Sequence, residues 1–265
     1  LPLLGYFIYN SEYTFAQKEI SFVFLLIFIL ALVLSFTRAA WISLAIALSI
    51  GAIMYFRINF KLLSLVAIIG LGLFFVTKDR ILMKLEKNRQ DSSSNLTEHV
   101  QSISNISSDA SNLERINRWS AALRMFEKRP SMGFGPGTYA FKYAPFQFSY
   151  EKTIISTNAG NKGNAHSEYI GPLAESGVLG LLTFASIVIA IFYSGISLYY
   201  KMEKSSMRAL LLAIMLGLVT YFVHGFLNNF LDTDKASVPV WGFAAAIVAI
   251  QLYHYKSHES EENPS

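Results

Sequence analysis

Apolar runs dominate the chain and charged residues sit at the joints between them. Six stretches, roughly 20–37, 39–56, 62–77, 178–200, 209–231 and 236–253, are candidates to cross a bilayer; about 20 residues are needed for that and about 17 suffice. Between the third and the fourth runs a polar segment from Lys78 to Tyr169 that holds nothing able to span. The pattern predicts an all-α fold, a polytopic transmembrane helical bundle interrupted by one large, partly helical loop. Its expected divisions are a membrane part over 1–77, the loop over 78–169, three further transmembrane helices over 170–253 and a tail over 254–265. The opening "LPLLGYFIY" reads as the end of a span, so part of the membrane domain is expected to precede it.

The loop is not uniform. Residues 87–111 are rich in serine and asparagine with few large apolar side chains, a composition expected to be weakly structured. From 111 to 129 the periodicity changes: Leu113, Ile116, Trp119, Leu123 and Phe126 recur at helical spacing, with Ser111 or Asn112 as an N-cap and Pro130 as a stop. One amphipathic helix is predicted there, outside the membrane or against its surface. "GFGPG" (133–137) follows, a tight turn or a set of backbone N–H groups for an anion, although no Gly-Lys-Ser/Thr ending makes it a P-loop.

Charge orients the bundle. If the spans alternate, Lys18, Arg57, Lys61, Lys201, Lys204, Arg208 and Lys256 share one face, while Arg38 and Lys235 share the other. The positive-inside rule makes the first face cytoplasmic and puts the long loop outside. With 53% hydrophobic residues and a mean hydropathy of +0.39, composition agrees with a membrane protein. There is no cysteine, which excludes disulfides, thiolate metal sites and cysteine nucleophiles. The net charge of +4 is scattered and forms no groove-sized basic patch, so nucleic acid is not an expected partner.

Three places could carry chemistry. Arg38, in "SFTRAAW", lies at a membrane boundary, where a guanidinium that cannot lose its proton needs a phosphate, a partner or a task. On the loop helix Arg115 and Arg118 are one turn apart and can face one anion, with Arg124 further along. His166, where the loop meets the fourth span, has a side chain suited to accepting a proton from a hydroxyl, with Glu168 or Glu175 near enough in sequence to orient it. His224 lies inside a span, and Asp232 and Asp234 sit just beyond it. His99, His224, His254 and His258 show no ligand spacing with His166, so neither a metal nor a cofactor is expected.

Taken in order, "SFTRAAW", then "RINRWSAALRMFEKRPSMGFGPGTY" in an outer loop, then "AHSEYIGPLAESGVLGLL" resemble the O-antigen ligase and polymerase family of bacterial membrane glycosyltransferases, from about residue 20 to about 253. The resemblance implies the C-terminal portion of a larger bundle in the inner membrane, with its active face and long loop periplasmic. It implies transfer of a glycan from an undecaprenyl diphosphate carrier to an acceptor hydroxyl, whether of lipid A core, another glycan or a protein. Carried over, Arg38, Arg115 and His166 match the family's catalytic positions. Arg118, Glu168 and Glu175 are candidates to bind or orient substrate. Two positions depart from the pattern: Ser167 stands where an asparagine is usual, and Thr37 where serine is commoner. A repeat-unit polymerase and a protein O-oligosaccharyltransferase would share these motifs. A transporter of an anionic lipid-linked glycan is the alternative outside the class, but it calls for several charged residues deep in the spans, where chiefly His224 is found.

Overall fold

The computed structural model describes residues 1–35, 37–58, 110–151 and 163–255, with the backbone alone of Arg38 and of 110–112. The expected third span (62–77), His99, most of the serine-rich stretch and the tail from 256 lie outside the described residues. What is described is helical, with no strand among the described residues. The helices are α1 (Pro2–Tyr9), α2 (Phe15–Leu34), α3 (Arg38–Tyr55), α4 (Ala110–Lys128), the single turn α5 (Tyr139–Lys142), α6 (Ile170–Lys201), α7 (Ser206–His224) and α8 (Asp234–Ala249), which runs on as a π-turn to Tyr255.

Helix α2 shows why this is a multi-pass membrane protein. Thr14 and Gln17 close a capping box at its start, and then 20 residues follow of which none is buried, although nearly all are apolar. Phe22, Phe24, Leu26, Ile27, Phe28 and Leu30 are all about half exposed. Such a surface is stable only in hydrocarbon. Among the described residues four helices, Phe15–Leu34, Ile170–Lys201, Ser206–His224 and Asp234–Tyr255, are long and apolar enough to cross, and Ala39–Tyr55 is a shorter apolar helix.

The core is built on α7, which buries residues on all sides, among them Leu211, Ile214, Met215, Leu218 and Phe222. Helix α3 meets it along a stripe of mostly small residues four apart: Ala39, Ser43, Ala47 and Gly51. Small side chains let two helix backbones approach closely, which is how helices gain packing where lipid removes the hydrophobic drive. A Cβ at Gly51 would lie 2.8 Å from Leu216 Cδ1, so the contact is already full. On another side Gly195 of α6 receives Met215, whose Sδ would stand 3.0 Å from an added Cβ.

Two features differ from the sequence expectation. The span expected over 209–231 is helical only to His224, because the backbone beyond it is recruited by Glu168, as described below. Helix α4 falls where predicted, but its apolar stripe faces outward: Leu113, Ile116 and Leu123 are 38%, 39% and 46% exposed, while Glu114, Asn117, Arg118, Ala121, Ala122 and Met125 are buried. The buried face is polar at one end because Glu114 and Arg118 neutralise each other there, with Nε donating to Oε1 at 2.9 Å.

Candidate functional site

The first requirement of a site is a rigid frame, and here it is a crossing of two glycine-bearing segments. The turn after α4 passes over the start of α6, so close that Val178 N donates to Pro130 O at 2.8 Å and Gly135 N to Glu175 O at 2.7 Å. Gly133 has φ +62 and touches the Glu175 backbone, while Gly177 has φ +67 and breaks α6 into two segments. A Cβ on Gly177 would sit 2.5 Å from Pro130 O. The anion that "GFGPG" holds is the protein's own: the Glu175 carboxylate accepts from Gly137 N and Tyr139 N, both at 2.9 Å. Glu175 therefore locks the loop onto α6.

Further out, Arg124 grips Glu151 with both terminal nitrogens and also donates to Phe146 O at 2.7 Å. The guanidinium beside it holds the Glu151 carboxyl below the usual carboxylate range. This pair fastens the segment 143–151 to the side of α4.

The segment 163–169 is held from both sides. Arg118 Nη1 donates to Asn164 O at 3.2 Å, and the guanidinium lies 5.6 Å from the centre of the Tyr143 ring, which itself stacks on Tyr139. Tyr139 Oη in turn donates to Arg118 O at 2.8 Å. On the far side, the Glu168 carboxylate oxygen Oε1 accepts from Tyr221 Oη (2.6 Å), Phe230 N (2.7 Å) and Leu231 N (2.9 Å), and Glu168 N donates to Gly225 O (2.8 Å). Burial pushes this carboxyl up and the three donors pull it back. Ser167, buried, accepts from Tyr169 N and Ile170 N at 3.3 Å each and so ties down the turn that leads into α6.

Between these anchors stands His166, half-buried, with φ +49. Its N–H donates to Asn164 Oδ1 at 3.2 Å, the short side-chain bond that lets a non-glycine residue hold that conformation. Burial, and after it the charges of Arg118 and Arg115, lower the imidazole to about 4, with Glu114 acting the other way. The ring is thus neutral at physiological pH, and one of its two nitrogens carries a lone pair. Arg115, one turn before Trp119, is half-buried and acts electrostatically on both His166 and His224.

His224 ends α7. Asn228 Nδ2 donates to its Nε2 at 2.9 Å, the ring stacks on Phe230, and it bonds the backbone of Ala39. Ala39 is the neighbour of Arg38, whose backbone starts α3. The structure therefore brings His166, Arg115, Arg118 and the first turn of α3 to one end of the bundle. Glu168 and Glu175 are turned to binding the protein's own backbone, and the Arg38 side chain lies outside the described set. Glu114 and Asn164 join the group without having been singled out in the sequence, and His224, noted there only as a histidine inside a span, joins it as well. The spacing Glu114–Arg118 (i, i+4) and Asn164–His166 (i, i+2) carried a signal for the first two; the third needed α3 and α7 to be placed side by side. Among the described residues no group of three His, Asp or Glu is placed to hold a metal ion.

A family profile described as O-antigen ligase matches residues 23–185, from α2 through the loop into α6. Among curated proteins and among solved structures, none matches the chain.

Proposed function

From the premise that this chain belongs to the O-antigen ligase family, and is a membrane glycosyltransferase of ligase or polymerase type, we propose that it transfers a glycan from undecaprenyl diphosphate to an acceptor hydroxyl. The site would lie at the periplasmic face of a bacterial inner membrane. The observation that carries the reading is one neutral histidine beside two arginines of a single helix, at the end of the bundle where Arg38 begins α3.

In this mechanism Arg115 and Arg38 hold the diphosphate oxygens, and His166 takes the acceptor hydroxyl. The hydroxyl oxygen attacks the anomeric carbon, its proton passes to His166, and the bond from that carbon to the diphosphate oxygen breaks with its electrons leaving on the diphosphate. Configuration is inverted. The leaving group is already a stable anion, so it needs charge stabilisation but no protonation. Arg118, Glu168 and Glu175 act on this site as positioning residues through Asn164, the α7 exit and the glycine turn.

The lowered pKa of His166 fits a cycle. Burial first, and then the charges of Arg118 and Arg115, hold the imidazole near 4 and make it a weak base; an anionic diphosphate on Arg115 would offset the part of that shift which comes from charge. The base would therefore strengthen when donor arrives, and stay quiet in the empty enzyme.

The test is transfer in proteoliposomes from an undecaprenyl diphosphate glycan, with lipid A core, repeat-unit glycan and a protein as alternative acceptors. His166→Ala is expected to reduce turnover about 10²- to 10⁴-fold, the usual contribution of a general base, with membrane insertion intact. Full activity in that variant would overturn the mechanism. The acceptor that is used decides between ligase, polymerase and protein transferase.

A further inference from the structure

At the other end of the bundle from His166, a cleft of about 1160 Å³ opens between α1, α2, α3 and α7. Its walls are apolar, with Leu25 and Ile29 from α2, Leu44 and Leu48 from α3, and Leu212 and Leu216 from α7. Its polar residues gather at one end: Arg208, Arg57, Lys204 and the serines 205 and 206. Ser205 Oγ accepts from Arg208 N at 3.2 Å, so this end also receives the positive end of the 19-residue helix α7.

Arg208 is the anomaly. It is 6% exposed and lines the cleft, its guanidinium lies 4.2 Å from the centre of the Tyr199 ring, and its buried Nε has no hydrogen-bond partner. No carboxylate among the described residues pairs with it; Glu12, which reaches Ser206 at the cleft, is engaged with Asn10 and Ser206. A guanidinium cannot discard its proton, and a buried one without an anion is costly. The cleft thus offers a buried cation, two exposed ones beside it and a long apolar trough below them.

We propose that this cleft binds an anionic diacyl phospholipid from the leaflet opposite to the His166 site. The headgroup phosphate sits on Arg208, flanked by Arg57 and Lys204, and an acyl chain lies against α2, α3 and α7. A phosphate above an apolar trough is the chemistry that basic pockets between transmembrane helices select. The bound lipid would fill the gap that separates α2 from α3 and α7, joining the half-exposed outer helix to the core. The proposal rests only on this chain spanning a membrane and is independent of the transfer reaction.

Full-length protein purified in detergent and stripped of lipid is titrated with phosphatidylglycerol, phosphatidylcholine and inorganic phosphate, and followed by native mass spectrometry and thermal unfolding. One phosphatidylglycerol should be retained and should raise the unfolding midpoint, with phosphatidylcholine and free phosphate giving little. Arg208→Gln should weaken phosphatidylglycerol about tenfold, the worth of one charged hydrogen-bonding partner. Leu48→Trp, at a position already half exposed, should block the trough and abolish retention while the protein stays folded. Equal binding of the two phospholipids, retention unchanged in both variants, or a cleft that takes up no lipid because another protein segment occupies it would each overturn the proposal.

Discussion

At the residue scale, His166 combines a strained backbone with a suppressed charge. Its φ of +49 suits glycine better than histidine, and such a residue costs of order 1–3 kcal/mol that its surroundings must offset. Replacement by glycine removes the strain, whereas alanine keeps it. His166→Gly is therefore expected to unfold later than His166→Ala, by about 1 kcal/mol, in detergent melts, with transfer lost in both; equal stability would mean that φ relaxes freely. The second expectation concerns pH. A base must be neutral to act, and burial with Arg118 and Arg115 sets the folded pKa at about 4. Activity as kcat/KM, which reports the free enzyme, should persist as pH falls through 6.5 and drop only near 4. The kcat profile, which reports the donor complex, should fall at higher pH. Coincident profiles near 6.5 would contradict the electrostatic account.

At the scale of elements, the decisive contacts are backbone against backbone. Where Gly177 meets Pro130 O, an added Cβ would stand 2.5 Å from a carbonyl that cannot move without the whole turn, and φ is +67 besides. Where Gly51 meets Leu216, the clash at 2.8 Å is with the end of a flexible side chain. Gly177→Ala should thus cost on the order of 3 kcal/mol or more, from strain and overpacking together. Gly51→Ala should cost about 1 kcal/mol or less, since Leu216 can change rotamer. Melting curves of the two variants test the ranking, and the reverse order would refute it. These elements were unequally readable. The apolar runs of α2 and α3 are visible because a lipid-facing helix has to be apolar along its whole length. The end of α7 was hidden, because "FLNNFL" is as apolar as a span and only the Glu168 carboxylate, arriving from 62 residues earlier in the chain to take Phe230 N, makes it a loop. The outward stripe of α4 was hidden too. Periodicity marks an apolar face but does not say whether protein or something else lies against it.

For the whole molecule, the orientation is the prediction with most consequence. The chain has no cysteine, so single cysteines report cleanly. Met132, at the glycine turn and 72% exposed, belongs to the His166 end; Lys204, exposed, belongs to the Arg208 end. In spheroplasts a membrane-impermeant maleimide should label Met132→Cys and spare Lys204→Cys until the membrane is opened. The opposite pattern would place the site on the cytoplasmic side and exclude a periplasmic donor.

Sequence alone was enough to determine that the chain is an all-α membrane bundle, since hydrocarbon admits only backbones that satisfy their own hydrogen bonds and apolar runs of this length do so as helices. It also carried the resemblance to the family, through the order of the stretches in which Arg38, Arg115 and His166 stand out chemically. Tertiary structure alone decided what stands between these residues. It turned Glu175 and Glu168 into clasps for backbone N–H groups, set Arg118 against Glu114 and Asn164, brought His224 beside the start of α3, and left Arg208 buried with no carboxylate partner among the described residues. Those are consequences of which groups meet across large sequence separations. A carboxylate or guanidinium has no role until its partner, or the lack of one, is fixed in space.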